Sequence, residues 1–513
     1  MKAVPDAILF IMKKCLAISV MLLLLLFSVF PEEILFEKVK VSESEILSEE
    51  EILGIVGECS GEYSGMDLLN AIVSRINELY REKGYPNAIA FVPEQTIEDG
   101  TVFIELIEGR AGTVTVSGSK YTTERFILRS LDIDTENVLN LSELEGKLLA
   151  FNRWNPGIDL TCTLNPGKDK PGTTDIDVMV TESHPTGAYA TVDNYATEAT
   201  GGYRAGIHFV SNSLSHNRDS LLAGAYANLY SQSFYADYNF PFFGKLAFEE
   251  TRLGIRGSYS RSKAGKGSAS LFDIRSNSFS GSAYMNTVVN RTPDRNISVL
   301  LNASYSQTST KAMDTQLSTE SVVSGRLGVS SSFIFRSLYL SATAGFTAGK
   351  PLQSANTTDF YWKFDAGFSA RLSLAGMGFI SVSASGQLMP FNDLVPNQEL
   401  MYAGGSNSVR GYSEGCAWGK SGYIANAELH FLLPGSTRSS IFAFADHAGI
   451  FPYPDTGDNY LFSIGAGLDF YIGNIFHVKA AVGCPLVKIY QDSNSEGYRF
   501  CLSATFSTPN VNY

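Results

Sequence analysis

The sequence has no cluster of lysines and arginines. Its 39 basic side chains against 52 acidic ones give a formal charge of −13, the reverse of what a phosphate-binding surface needs, so nucleic acid is excluded as a partner. Cysteine is scarce as well. Cys15, Cys59, Cys162, Cys416, Cys484 and Cys501 are scattered without C-x-x-C spacing, which excludes a zinc site or a dense disulfide framework and leaves unpaired structural thiols. The six histidines are dispersed and no H-E-x-x-H occurs, so the sequence points to no metal and no cofactor. Also missing are the repeated runs of about 20 apolar residues that a bundle of helical spans requires. The one long uncharged run, Leu16 to Phe30, follows Lys13-Lys14 and has the positive and apolar regions of a secretory signal peptide over residues 1–30. No small-x-small cleavage site follows Phe30, and a membrane anchor is the alternative.

What is present begins as a mixed α+β region. "FEKVKVSES" alternates like a strand, Ser48 and Glu51 spell a capping box, and residues 67–83 place Leu69, Ile72, Val73, Ile76 and Tyr80 on one helix face before Gly84 and Pro86 end it. Strands "NAIAFVPEQ" and "TVFIELIEG" follow, joined at Glu98-Asp99-Gly100. The same order recurs in "GTVTVSGS", "TERFILRSL", "SELEGKLLAF" with a box from Ser142 to Glu145, "IDLTCTL" and "TDIDVMVTES". A β-α-α-β-β unit of about 75 residues therefore occurs twice, over 34–109 and 110–184.

After Pro185 helical periodicity disappears. In "LFSIGAGLDFYI", Phe462, Ile464, Ala466, Leu468, Phe470 and Ile472 share one face while Ser463, Gly465, Gly467 and Asp469 share the other. "YIANAELHFLL" likewise sets Tyr423, Ala425, Ala427, Leu429, Phe431 and Leu433 against Asn426, Glu428 and His430. An apolar face opposite a small or polar one, at period two, marks a transmembrane β-barrel strand between lipid and water. A soluble sandwich also alternates, but here the apolar positions are long and aromatic and the opposite face is rich in Gly and Ser rather than Lys and Glu. Strands centred near 191, 206, 224, 237, 257, 282, 302, 327, 343, 367, 383, 427, 444, 465, 482 and 502 predict sixteen. The expected fold is an all-β, 16-stranded antiparallel transmembrane barrel over 186–513, preceded by two α+β repeats.

The longest connection, 390–420, contains "GGSNSVRGYSEG", by composition a flexible loop that carries a single arginine, Arg410. The chain here resembles the outer-membrane transporters of two-partner secretion, the haemolysin secretion/activation type within the superfamily of outer-membrane assembly proteins. The matching residues are Val409-Arg410-Gly411-Tyr412 in the sixth extracellular loop and Phe444-x-Asp446-x-x-Gly449 in strand thirteen. Asp193-Asn194-Tyr195 with Thr200-Gly201-Gly202-Tyr203-Arg204 is similar to the family's first barrel hairpin, and the two repeats look like POTRA domains. The resemblance implies that the loop folds back into the lumen and that Arg410 latches onto Asp446. A planar guanidinium suits that task, because a carboxylate can accept it bidentately, and Gly411 would let the backbone pass close to the wall. The sequence departs from the family at Ala448, where glycine is usual two residues after the aspartate. Only a few residues separate Phe30 from the first strand, so no plug helix is expected, and "STPNVNY" extends beyond the last strand, "YRFCLSATF".

Two enzyme motifs lack their context. Gly411 to Gly415 fits G-x-S-x-G, but no helix follows. Gly415 to Ser421 mimics a phosphate loop with one residue too few. No enzymatic activity is expected. The resemblance implies a transporter in the outer membrane of a Gram-negative bacterium, with its repeats in the periplasm, that secretes a large β-helical exoprotein, with or without activating it. It further implies a monomer surrounded by outer-membrane lipid and inserted by the barrel-assembly machinery. A factor that inserts other barrel proteins is the alternative; a diffusion porin would have no need of two periplasmic modules.

Overall fold

The computed structural model describes residues 36–168, 172–242, 250–353, 358–390, 394–451, 459–489 and 497–508. The expected signal segment and the question of a plug helix lie outside the described residues.

The first repeat comprises β1 (Lys38–Val41), α1 (Glu49–Glu62), α2 (Gly65–Glu82), β2 (Ile89–Phe91) and β3 (Thr101–Ile107). Its sheet runs β1-β3-β2, with β1 parallel and β2 antiparallel to β3. Ser48 caps α1: its hydroxyl accepts from the Glu51 N–H at 3.3 Å, and the Glu51 carboxylate accepts from the Ser48 N–H at 2.9 Å. Leu69, Ile72, Ile76 and Tyr80 of α2 bury against Val102 and Ile104 of β3, each large aliphatic side chain contributing about 1.5–3 kcal/mol.

The second repeat follows the same order with β4 (Arg110–Ser117), α3 (Glu124–Leu131), α4 (Leu141–Trp154), β5 (Ile158–Pro166) and β6 (Thr173–Glu182), its sheet running β4-β6-β5. The cap of α4 differs from the sequence reading. The helix starts at Leu141, and the Asn140 side chain accepts from the Glu143 N–H at 2.9 Å. Ser142 and Glu145 therefore fall inside the helix, at its second and fifth residues, where no reciprocal box can form. This repeat touches the periplasmic side of the barrel: the Thr123 N–H donates to the His216 carbonyl (2.7 Å), Ser213 Oγ to the Tyr121 carbonyl (2.6 Å) and Trp154 Nε1 to the Thr292 carbonyl (2.9 Å).

The barrel consists of β7 (Thr186–Asp193), β8 (Arg204–Ser211), β9 (Ser220–Ala227), β10 (Ser231–Phe242), β11 (Glu250–Lys263), β12 (Arg275–Thr292), β13 (Arg295–Ala312), β14 (Thr315–Phe335), β15 (Leu338–Gln353), β16 (Tyr361–Ser373) and β17 (Gly378–Leu388). After the long loop come β20 (Ser421–Leu432), β21 (Ser440–Phe451), β22 (Asn459–Ile472), β23 (Phe476–Pro485) and β24 (Arg499–Ser507). Within the loop, β18 (Met401–Ala403) and β19 (Ala417–Gly419) form a small hairpin, so it is more ordered than its composition suggests. The sixteen wall strands form one closed antiparallel ring, β24 pairing with β7. That seam is short, with five register pairs from Ser503–Asp193 to Ser507–Tyr189.

The period-two pattern settles which way the wall faces. In β22, Ile464, Leu468, Phe470 and Ile472 are exposed to the outside while Ser463 and Asp469 turn inward. Lipid solvates the first set, and water or the inserted loop meets the second. β14, at 21 residues, runs well beyond the roughly 9–11 residues a crossing needs.

Candidate functional site

The site lies where the long loop enters the lumen. Phe442, Phe444, Asp446, Ala448 and Ile450 of β21 all face inward by strand alternation, and each is buried. Asp446 has no exposed surface and Arg410 is 6% exposed. Charges so far from water persist only when paired and fully hydrogen-bonded.

The pairing is thorough. Asp446 Oδ2 accepts from the Arg410 backbone N–H (3.0 Å) and from Arg410 Nε (2.7 Å), while Oδ1 accepts from Nη2 (2.7 Å) and from the Asn426 amide (2.8 Å). The remaining guanidinium edge donates from Nη1 to Glu428 Oε1 at 2.5 Å. Arg410 Cζ lies over the Phe444 ring, 3.6 Å from its centroid, a cation–π contact strengthened by the dry surroundings. Glu428 is shared further, with Lys479 Nζ at 3.7 Å and His430 Nε2 at 2.9 Å. Asn426 also donates to the Ser408 carbonyl at 2.5 Å. Asn426 and Glu428 sit opposite Asp446 and Phe444 in the β20–β21 register, so two adjacent strands supply the partners of the guanidinium. A polar cavity of about 390 Å³ opens beside it, lined by Ser381, Ser383, Ser406, His477 and Lys479 among others.

The neighbours of Arg410 hold the tip in place. Val409 and Tyr412 are fully buried with Ala448, Ile450 and Leu461. The Tyr412 hydroxyl donates to the Val487 carbonyl (2.6 Å) and accepts from the Phe462 N–H (3.2 Å). Gly411 has φ +99°, a conformation that favours glycine. Arg499 at the start of β24 donates to Ser413 Oγ at 2.9 Å. The loop is also tied near its entry, where Lys363 Nζ meets Glu399 Oε2 at 3.0 Å and Asn397 donates to Glu320 at 3.1 Å.

Of the residues singled out in the sequence, Val409, Arg410, Gly411, Tyr412, Phe444 and Asp446 come together here. Gly449 does not. It lies on the outward face of β21, where a β-carbon would come within 2.6 Å of the Tyr423 ring, and Ala448 takes the inward position. The first-hairpin residues form a separate arrangement: Arg204 Nε donates to Asp193 Oδ1 at 2.8 Å, and the Asn194 carboxamide bridges the seam to the Phe500 carbonyl (2.7 Å) and the Leu502 N–H (2.9 Å). Thr200 Oγ1 donates to the Thr197 carbonyl at 3.1 Å and Gly201 has φ +116°, closing the turn between them. The sequence reading placed Asn426, Glu428 and His430 on the inward face but did not connect them to Arg410, and it missed Lys479, Arg499 and Gly483, the last of which lies against the Arg410–Gly411 backbone. A carboxylate on the strand next to Asp446 was the available signal for Glu428.

Comparison with known proteins agrees with this architecture. The heme/hemopexin transporter protein HuxB of Haemophilus influenzae strain 86-028NP is 24% identical over 484 residues, covering 88% of this chain and 83% of that protein. CdiB from Escherichia coli has the same fold, with a TM-score of 0.71 at 18% identity over 92% of this chain and 90% of its own. BamA from Haemophilus ducreyi, lacking POTRA domains 1–3, superposes less closely, with a TM-score of 0.57 at 16% identity over 92% of this chain and all of its own. The family model of the ShlB-type POTRA domain matches residues 34–109. With residues 172–470, more than half of its length, matched by that family's model, the chain belongs to the haemolysin secretion/activation protein family ShlB/FhaC/HecB.

Proposed function

We propose that the two POTRA repeats capture an unfolded client by strand addition and pass it into the barrel, and that the Arg410 clasp is a latch that yields as the client enters. Export of a partner protein across the outer membrane by two-partner secretion follows from membership of the family; the proposal concerns the route. A ring of sixteen strands encloses a channel too wide for wall side chains to fill, so an inserted loop must be pinned. The observation that carries the reading is the concentration of bonds at one residue, Arg410, which joins the loop to two wall strands.

A sheet edge binds an extended chain through backbone hydrogen bonds with little demand on side chains, which suits a large β-helical client that arrives unfolded. The sequence carries no complete nucleotide motif. Direction would come from the client folding outside the cell, which makes return costly. The protein would act as a monomer in outer-membrane lipid, inserted by the barrel-assembly machinery. Deleting both repeats, residues 34–184, tests the reading: the barrel should still insert while secretion of the client stops, and continued secretion would remove the capture role. A role in inserting other barrel proteins would instead show as loss of those proteins from the membrane on deletion of the whole chain.

A further inference from the structure

The second helix of each repeat spends an asparagine on the rim of its sheet. Asn77 of α2 accepts from the Ala90 N–H at 2.6 Å and donates to the Ala90 carbonyl at 3.2 Å. Asn152 of α4 does the same to Leu160, at 2.8 Å in both directions. β2 and β5 are the outer strands of their sheets, and Ala90 and Leu160 are positions whose backbone groups point away from the neighbouring strand. Each carboxamide thus occupies the place that a residue of an added strand would take.

The two edges differ in length. β2 has three residues, of which Ala90 alone turns its backbone outward, so Asn77 closes it. β5 has nine residues, and its period of two turns the backbone of Cys162 the same way as that of Leu160. Among the described residues no side chain bonds the backbone of Cys162. Asp159, Thr161 and Thr163 beside it are exposed on the open face of the sheet, a surface that accepts polar and β-branched cross-strand neighbours.

We propose that these asparagines rank the two POTRA edges: an extended, proline-free segment of the client adds as a strand to β5 from Cys162 onward, and β2 receives one only when the Asn77 carboxamide swings aside. The proposal rests on the capture reading above and specifies its place.

A labelled alternating Thr-Val decapeptide, titrated against the full-length protein in detergent micelles, tests it. A twin peptide N-methylated at every residue has no N–H left to donate from either edge. The ranking predicts that the twin loses binding, that Cys162→Pro weakens binding of the parent peptide at least ten-fold, and that Asn77→Ala adds a second binding event. Proline is tolerated at an edge position whose N–H points outward; should Cys162→Pro misfold, the twin peptide on the unaltered protein and Asn77→Ala decide. Equal binding of both peptides, or no effect of either substitution, overturns the ranking. Client export is measured in parallel. Export by the unaltered chain together with edge-independent peptide binding overturns the ranking and leaves the transport reading standing, whereas no export of the client would count against the capture reading itself.

Discussion

Gly411 at the tip of the inserted loop lies directly on Gly483 of β23, backbone against backbone. A β-carbon on Gly483 would stand 2.7 Å from both the Arg410 carbonyl carbon and the Gly411 nitrogen, and one on Gly411 would stand 3.1 Å from the Gly483 carbonyl. Neither neighbour is a side chain that could rotate away. Gly483→Ala is therefore expected to lift the tip from the wall at a cost of about 1–3 kcal/mol while leaving the barrel ladder closed. Single-channel recording should show a larger or noisier conductance with an unchanged heat-modifiable gel shift, and wild-type traces would contradict the close approach.

The clasp makes a graded prediction. Arg410→Ala leaves Asp446 buried and unpaired, and breaking a buried pair by removing one partner costs about 3–5 kcal/mol, enough to shift a tucked-to-released equilibrium by a factor of a hundred or more. Arg410→Lys keeps the charge but cannot span both Asp446 and Glu428 with a planar fork, so it should fall between wild type and Arg410→Ala. Protease access to residues 404–415 from outside intact cells reads the order directly. A Lys variant as well protected as wild type would show that charge alone holds the loop.

Acidity should loosen the second repeat where Glu182 holds the Lys120–Tyr121 segment. Burial disfavours ionisation of Glu182, but the N–H groups of Tyr121 and Lys120 at 2.7 and 2.8 Å and the charge of Arg218 together hold its carboxyl below the ordinary value of 4.5. Because the folded value lies below the unfolded one, this stabilisation is complete above about pH 4.5 and is lost as pH falls through the lowered value. Limited proteolysis of the Lys120–Tyr121 segment should be constant between about pH 7 and 5 and rise in stronger acid. Glu182→Gln should remove that acid dependence and raise cleavage at neutral pH; an unchanged profile would show that another group governs it.

Most of the fold was legible because lipid enforces a strict alternation. Ile464, Leu468 and Phe470 against Ser463, Gly467 and Asp469 fix both the strand and its outer face without any knowledge of its partners. The cap of α4 was not legible, because Ser142 and Glu145 spell a box that the helix start at Leu141 leaves inside the helix. Gly449 could have been placed by parity alone: with Asp446 facing inward, a residue three positions on must face outward. The contacts of the loop tip are a different matter. Alternation shows that Asn426, Glu428, Lys479 and Gly483 face the lumen, but a loop crossing that lumen can meet any inward-facing residue, and nothing local in the sequence chooses between them. The asparagines at the sheet edges were hidden for a similar reason, since a polar residue late in an amphipathic helix reads as a solvated position until the strand beside it is placed.

The central claim is that the loop tip must leave the wall for a client to pass. Ser408→Cys with Asn426→Cys bridges the tip to β20, where the Ser408 carbonyl and the Asn426 amide now meet at 2.5 Å. Client secretion by the double variant, compared with each single variant, should stop when the bridge is oxidised and resume on reduction. Secretion that continues at the wild-type rate with the bridge closed would contradict the account.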